Sequence, residues 1–73
     1  MRYLAIGFWI NDTGEDFSLS RETNDEDVKK VSDMLCKDCS LPNENLAVVL
    51  LVKAAHLAPP SIYKSWRAAD GDF

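Results

Sequence analysis

The first apolar stretch of the chain, residues 3–10, alternates two sets of side chains at the spacing of a β-strand. One set is Leu4, Ile6, Phe8 and Ile10, and the other is Tyr3, Ala5, Gly7 and Trp9. Successive side chains of a strand point to opposite faces of a sheet. Because both sets are apolar, the pattern predicts a strand covered on both faces. One of the two covers could be another chain, either a second copy or a host protein.

A turn and a second strand follow directly. Residues 11–14 (Asn-Asp-Thr-Gly) combine side chains that bond the backbone with a glycine that tolerates positive φ. Phe17 and Leu19 then alternate with serines, which is typical of a half-exposed strand. Residues 3–21 are therefore predicted to form a β-hairpin.

A helix is predicted over residues 24–38. Residues 23–26 (Thr-Asn-Asp-Glu) match a capping box, and the acids of the first turn suit the helix dipole. Val28, Val31 and Leu35 recur at helical spacing. Lys37 lies near the end of the helix, where a cation is favoured.

The second half of the chain is harder to assign. Residues 40–58 are interpreted as a helix, since the apolar pattern persists past Lys53 and the alanines after it are good helix formers. The alternative is a third strand over residues 46–52. Pro59 and Pro60 end either element, and a last helix is predicted from Pro60 to a stop at Gly71.

These elements give one α+β domain over residues 1–73. The preferred order is ββααα, an N-terminal hairpin packed against two or three helices, and the alternative is ββαβα with residues 46–52 as a third strand. The predicted core consists of Leu4, Ile6, Phe8, Phe17, Leu19, Val28, Val31, Leu35, Leu46, Leu50 and Ile62.

Charge is distributed unevenly. The chain has a net charge of −4, and residues 12–27 hold seven acids against Arg21 alone, so that segment sums to −6 and the rest to +2. This balance argues against direct nucleic-acid binding, which needs clustered bases. The bland interpretation is a solvated face plus helix capping. The sharper one is an acidic face that docks on the basic surface of a larger protein.

A second candidate surface lies near the end of the chain, where aromatic and basic residues cluster on the predicted last helix. Tryptophan, tyrosine and arginine are the residues that most often anchor interfaces. The candidate partner-binding residues are Asp12, Glu15, Asp16, Glu22, Asp25, Glu26, Asp27, Tyr63, Lys64, Trp66 and Arg67.

Catalytic and metal-binding chemistry is poorly supported. Cys36 and Cys39 form a C-x-x-C motif, but only His56 could join them as a third typical zinc ligand. A redox role is disfavoured because the motif lies at the predicted C-terminal end of a helix, where the dipole opposes a thiolate. The bland interpretation is two reduced thiols. We therefore expect no enzyme activity, no cofactor and no metal site.

The sequence as a whole favours a non-enzymatic, cytoplasmic interaction module. Residues 1–10 resemble a signal peptide only in part, and no apolar run approaches a membrane span. We expect a small regulator or inhibitor that docks by its acidic face on a larger nucleic-acid-handling protein. The alternatives are a DNA-binding regulator with a helix-turn-helix-like C-terminal half, in which Lys64 and Arg67 would contact DNA, and a zinc-stapled interaction module.

Overall fold

In the described part of the chain, four antiparallel strands form one sheet, and one α-helix covers one of its faces. The computed structural model describes residues 2–11, 13–40, 43–53 and 60–73, with the backbone alone at Cys39 and Asn43. Within these residues the elements are β1 (Tyr3–Ile10), β2 (Asp16–Thr23), α1 (Val28–Cys39), β3 (Leu46–Lys53) and β4 (Ser61–Arg67). Two short 3-10 turns, Asn43–Asn45 and Ala68–Asp70, precede β3 and follow β4.

The strand order in the sheet is β2-β1-β3-β4. Both β2 and β3 are antiparallel to β1, so they run parallel to each other on its two sides. The chain passes from β2 to β3 through α1, and β4 closes the far edge beside β3. The two central strands are therefore β1 and β3, and the two edges are β2 and β4.

The predicted N-terminal hairpin is confirmed, and the turn forms as its side chains suggested. The Asn11 Oδ1 atom accepts hydrogen bonds from the Thr13 and Glu15 backbone N–H groups at 3.1 and 2.8 Å. Gly14 adopts a φ of 83°, a conformation that costs glycine little. Asn11 thus holds the loop that sets the register between β1 and β2.

The predicted helix over residues 24–38 is confirmed, but its start was misplaced. The N-cap is Asp27, whose carboxylate accepts from the Lys29 N–H at 3.0 Å. The predicted capping box at residues 23–26 was wrong. Thr23 instead ends β2, and its hydroxyl accepts from the Asp25 N–H at 3.0 Å. Residues 24–27 therefore form a short link that lets the chain leave the sheet.

Both predicted orders, ββααα and ββαβα, were wrong, because the chain has four strands and a single helix in its described part. Residues 46–53 form β3, as the alternative proposed, and not the preferred helix over 40–58; residues 54–58 lie outside the described residues. The predicted last helix is β4 followed by a 3-10 turn. Gly71, with a φ of 74°, caps that turn, so the stop was placed correctly.

The core lies between α1 and one face of the sheet, and the predicted core used the wrong face of β1. Gly7 is the close-contact point, since Trp9 and Leu35 lie against it. Three predicted core residues, Val31, Leu35 and Leu46, are buried, whereas Leu4, Phe8, Phe17 and Ile62 are exposed. The buried hydrophobic residues are Tyr3, Ala5, Trp9, Val31, Leu35, Cys36, Leu46, Val49 and Leu51.

Candidate protein-interaction surface

The face of the sheet turned away from α1 carries apolar side chains along both central strands. Alternation along β1 directs Leu4 and Phe8 away from the helix side, where Ala5 and Trp9 are buried. The register places Val52 and Val48 beside them on β3. We call this surface the open face, and it consists of Leu4, Ile6, Phe8, Ile10, Val48, Leu50, Val52 and Ile62.

The exposure of these side chains makes the open face unusual. Ile10 and Ile62 are 52% and 61% exposed, and Leu4 and Phe8 are exposed as well. The two central strands are each about 25 Å long and about 4.8 Å apart, so together they present an apolar area of about 240 Å². A contiguous apolar patch with a polar rim is a feature of interaction sites, whereas single exposed apolar residues need no explanation.

The rim of the open face has opposite charges on its two edges. On β2, Asp16 lies beside Ile10 and Glu22 lies beside Leu4, with serines between them. On β4, Arg67 lies beside Val48. Glu22 forms an exposed ion pair with Arg2 at 3.3 Å, so its charge is partly balanced within the chain. Asp16 and Arg67 thus mark an acidic edge and a basic edge.

A polar cluster on the helix side connects β1, β4 and the link before α1. The rings of Tyr3 and Tyr63 stack with centroids 5.1 Å apart, and both side chains hydrogen-bond to Glu26. Lys64 lies 3.6 Å from the Glu26 carboxylate, and Lys53 and Lys64 lie 5.0 and 5.5 Å from the Tyr63 ring centroid. The cluster fixes β4 against the rest of the fold.

The protonation states of this cluster suit structure better than proton transfer. Burial, followed by the hydrogen bond to Glu26, raises the pKa of Tyr3 to about 12. Hydrogen bonding from Tyr63, with help from Tyr3 and Lys64, lowers the pKa of Glu26 below 4.5. A general acid or base works best with a pKa near the working pH. Both shifts move away from neutrality, so Glu26 stays an acceptor and Tyr3 a donor.

The predicted acidic residues differ in their structural surroundings. Glu22 is paired with Arg2, and Glu26 belongs to the tyrosine cluster. Asp27 caps α1. Glu15, in the turn after β1, and Asp25, before the helix, are exposed, whereas Asp12 lies outside the described residues. Glu22, Glu26 and Asp27 thus have partners within the fold, and docking by an acidic face stays a prediction.

The predicted aromatic-basic group lies on β4 and is divided between the two faces of the sheet. Tyr63 and Lys64 lie on the helix side with Glu26, and Trp66 packs against the core. Arg67 lies on the rim of the open face. The register skips Tyr63, which forms a bulge on β4. The C-terminal half contributes two paired strands, so the described residues do not form the predicted helix-turn-helix. DNA binding itself stays a prediction.

The candidate metal motif is not assembled by the residues that the structure describes. Cys36 is buried in the core, whereas the Cys39 side chain and all of His56 lie outside the described residues. Among the described residues, no group of three or more His, Cys, Asp or Glu side chains could hold a metal ion.

Sequence reasoning identified the feature behind the open face but not its position. The apolar character of both β1 faces suggested that one face would contact another chain. In the structure, the face that carries Leu4 and Phe8 is the one not covered by α1. The contribution of β3 was missed because residues 46–52 were assigned to a helix. The three valines of that run were the available signal, since β-branched residues favour strands.

Comparison with known proteins finds no relative of this chain. The chain matches no protein-family model, no curated protein and no solved structure. In the described part of the chain, no helix is long and apolar enough to cross a membrane. The fold and the surface therefore define a class only: a four-stranded antiparallel sheet covered by a helix on one face and open on the other.

Proposed function

We propose that the protein is a non-enzymatic protein–protein interaction module, a small regulator or inhibitor that acts by binding another protein chain through its open face. The observation that carries the proposal is the exposure of a contiguous apolar surface at the centre of the sheet, where a folded domain normally buries its side chains. Burying apolar surface is the main favourable term in most protein association.

The open face is a better binding surface than the acidic residues for a physical reason. Removing its apolar side chains from water makes the binding free energy more favourable by about 25 cal/mol for each Å² buried. Exposed charges contribute mainly to the association rate and the specificity, and salt screens them. Glu26 and Asp27 are already engaged within the fold.

The test is affinity capture from an extract of the native cells with three forms of the full chain. The first is the wild type, and the second carries Ile10→Ser and Ile62→Ser, which alter the two most exposed residues of the open face. The third carries Lys30→Ser, an exposed change on α1 and thus on the opposite side of the molecule. Near-ultraviolet circular dichroism checks that all three are folded.

We expect the wild type and the α1 control to retain the same protein at low and at high salt, and the double serine variant to lose it. The retained protein can be a different chain or the tagged protein's own copy. Equal retention by all three forms, or no specific retention by any, would contradict the proposal. Retention that disappears at high salt and survives both serine changes would instead support docking by the acidic residues on a basic, nucleic-acid-handling partner.

A further inference from the structure

Building on the proposed function, we infer that the open face binds a second copy of the same chain, related by a two-fold axis that runs parallel to the strands. The two sheets then face each other and form a four-layer dimer, with helix, sheet, sheet and helix in order. Sheets packed in this way lie about 10 Å apart, with strand directions within about 30° of each other.

The strand order makes this arrangement self-complementary. Rotation about an axis along the strands places β1 of one copy over β3 of the other, so that the apolar strands meet at the centre. The same rotation places the β2 edge of one copy over the β4 edge of the other. A two-fold axis across the strands would instead place β2 on β2, and its acidic side chains would repel.

The rim charges then pair between the copies. Through Val48, Arg67 is aligned across the sheet with Phe8 of β1. Asp16 is aligned with Ile10, which lies two residues beyond Phe8 along the same strand. In the dimer, Asp16 of one copy and Arg67 of the other are therefore offset along the strand direction by two residues, about 7 Å. A long arginine side chain can bridge this offset between the two facing sheets. Asp16 of one copy would therefore meet Arg67 of the other, and the symmetry repeats this pair twice.

The area of the face is sufficient for a weak but specific dimer. Four strands at about 4.8 Å spacing and about 25 Å length give about 500 Å² on each copy, or about 1,000 Å² in total. A biological interface needs about 1,000 Å² with good complementarity. The depletion of charge at the centre and its presence at the edges match the usual composition of an interface. We therefore expect a dissociation constant in the micromolar range.

The experiment measures the dimer dissociation constant of the full chain by sedimentation equilibrium, with charge reversals on the two rims. The single variants are Asp16→Arg and Arg67→Asp, and the double variant carries both. Lys30→Glu on α1 is the control, because it reverses an exposed charge on the far side of the molecule. Circular dichroism confirms that each variant is folded.

We expect each single reversal to raise the dissociation constant about tenfold, since each of the two symmetric contacts contributes about threefold. The double variant should return close to the wild-type value, and Lys30→Glu should leave it unchanged. A wild type that stays monomeric at high micromolar concentration overturns the inference. Dimerisation without rescue in the double variant overturns it too, since the two-fold arrangement requires the pair.

The failure of this inference is distinguishable from the failure of the proposed function. A monomer that still captures a different protein through Ile10 and Ile62 would leave the interaction module intact and remove only the second copy as its partner. A monomer that captures nothing would remove both.

Discussion

Adding a single methyl group at Gly7 should destabilise the fold, because the core has no space for it. An ideal Cβ on Gly7 would lie 2.8 and 2.9 Å from Cη2 and Cζ3 of Trp9 and 3.1 Å from Cδ1 of Leu35. Ordinary contacts begin near 3.4 Å, so the indole would have to move by about 0.6 Å. Trp9 is 2% exposed and Leu35 is fully buried, which leaves little room for that movement.

The magnitude follows from two opposing terms. Overpacking a dense core by one carbon costs about 1–3 kcal/mol. Replacing glycine by alanine gives back about 0.4–1 kcal/mol by restricting the unfolded chain. We therefore expect Gly7→Ala to lower the free energy of unfolding by about 1–2 kcal/mol, which in a domain of this size lowers the melting temperature by about 5–15 °C.

The assay is chemical denaturation in a double-mutant cycle with Trp9→Phe, which removes the part of the indole nearest to Gly7. If the clash is the cause, Gly7→Ala should cost at least about 0.5 kcal/mol less in the Trp9→Phe protein. Gly14→Ala is the matched control, since a Cβ there has nothing within 4 Å and is opposed only by the φ of 83°. Its cost should be the same in both backgrounds. An equal cost of Gly7→Ala in both backgrounds would refute the reasoning.

Three further predictions concern the helix side of the molecule. Because the pKa of Glu26 is lowered in the fold, the ionised carboxylate stabilises the protein above pH 4.5, and this stabilisation is lost as the pH falls below that value. The melting temperature between pH 3 and pH 6 should therefore depend less on pH in Glu26→Gln than in the wild type, and an equal dependence would contradict the prediction. Because the pKa of Tyr3 is raised from 10.0 to about 12, its contribution to folding stability is complete below pH 10 and is lost as the pH rises through 12. Ultraviolet absorbance should show a tyrosinate step near pH 12 that is missing in Tyr3→Phe, and a step that persists in this variant would belong to another group. Asp27→Ala should lower the free energy of unfolding by about 1 kcal/mol in urea denaturation, because it removes the N-cap bond to Lys29; an equal loss in the charge-matched control Asp25→Ala would argue against capping.

The elements that the sequence predicted correctly are those specified by neighbouring residues. The hairpin follows from the turn at residues 11–14, and α1 follows from its periodic apolar residues. Strand β3 depends on pairing with β1, which is distant in sequence, and its run of leucine, alanine and valine suits either a helix or a strand. Local propensity could not decide between them, and the partner strand did.

The assignment of β4 failed for a more specific reason. A regular strand alternates, but the bulge at Tyr63 puts two consecutive residues, Tyr63 and Lys64, on the helix side while Ile62 lies on the open face. The apolar residues Ile62, Tyr63 and Trp66 therefore fall at a spacing that resembles a helix. The choice of the buried β1 face was equally non-local, because it depends on the fit between Gly7, Trp9 and α1.

The position of β1 at the centre of the sheet has a consequence for how the protein is made. One edge of β1 pairs with β2, which follows it directly in the sequence. The other edge pairs with β3, and the pair of Tyr3 with Lys53 can form only after most of the chain has been synthesised. Pairings between residues this distant form slowly, because a long loop must close first. Until then a nascent chain carries an apolar strand with an unpaired edge, a form prone to aggregate. Both edges of β1 can therefore be fully paired only after residue 53 has left the ribosome, and the sheet is complete only once β4 has followed.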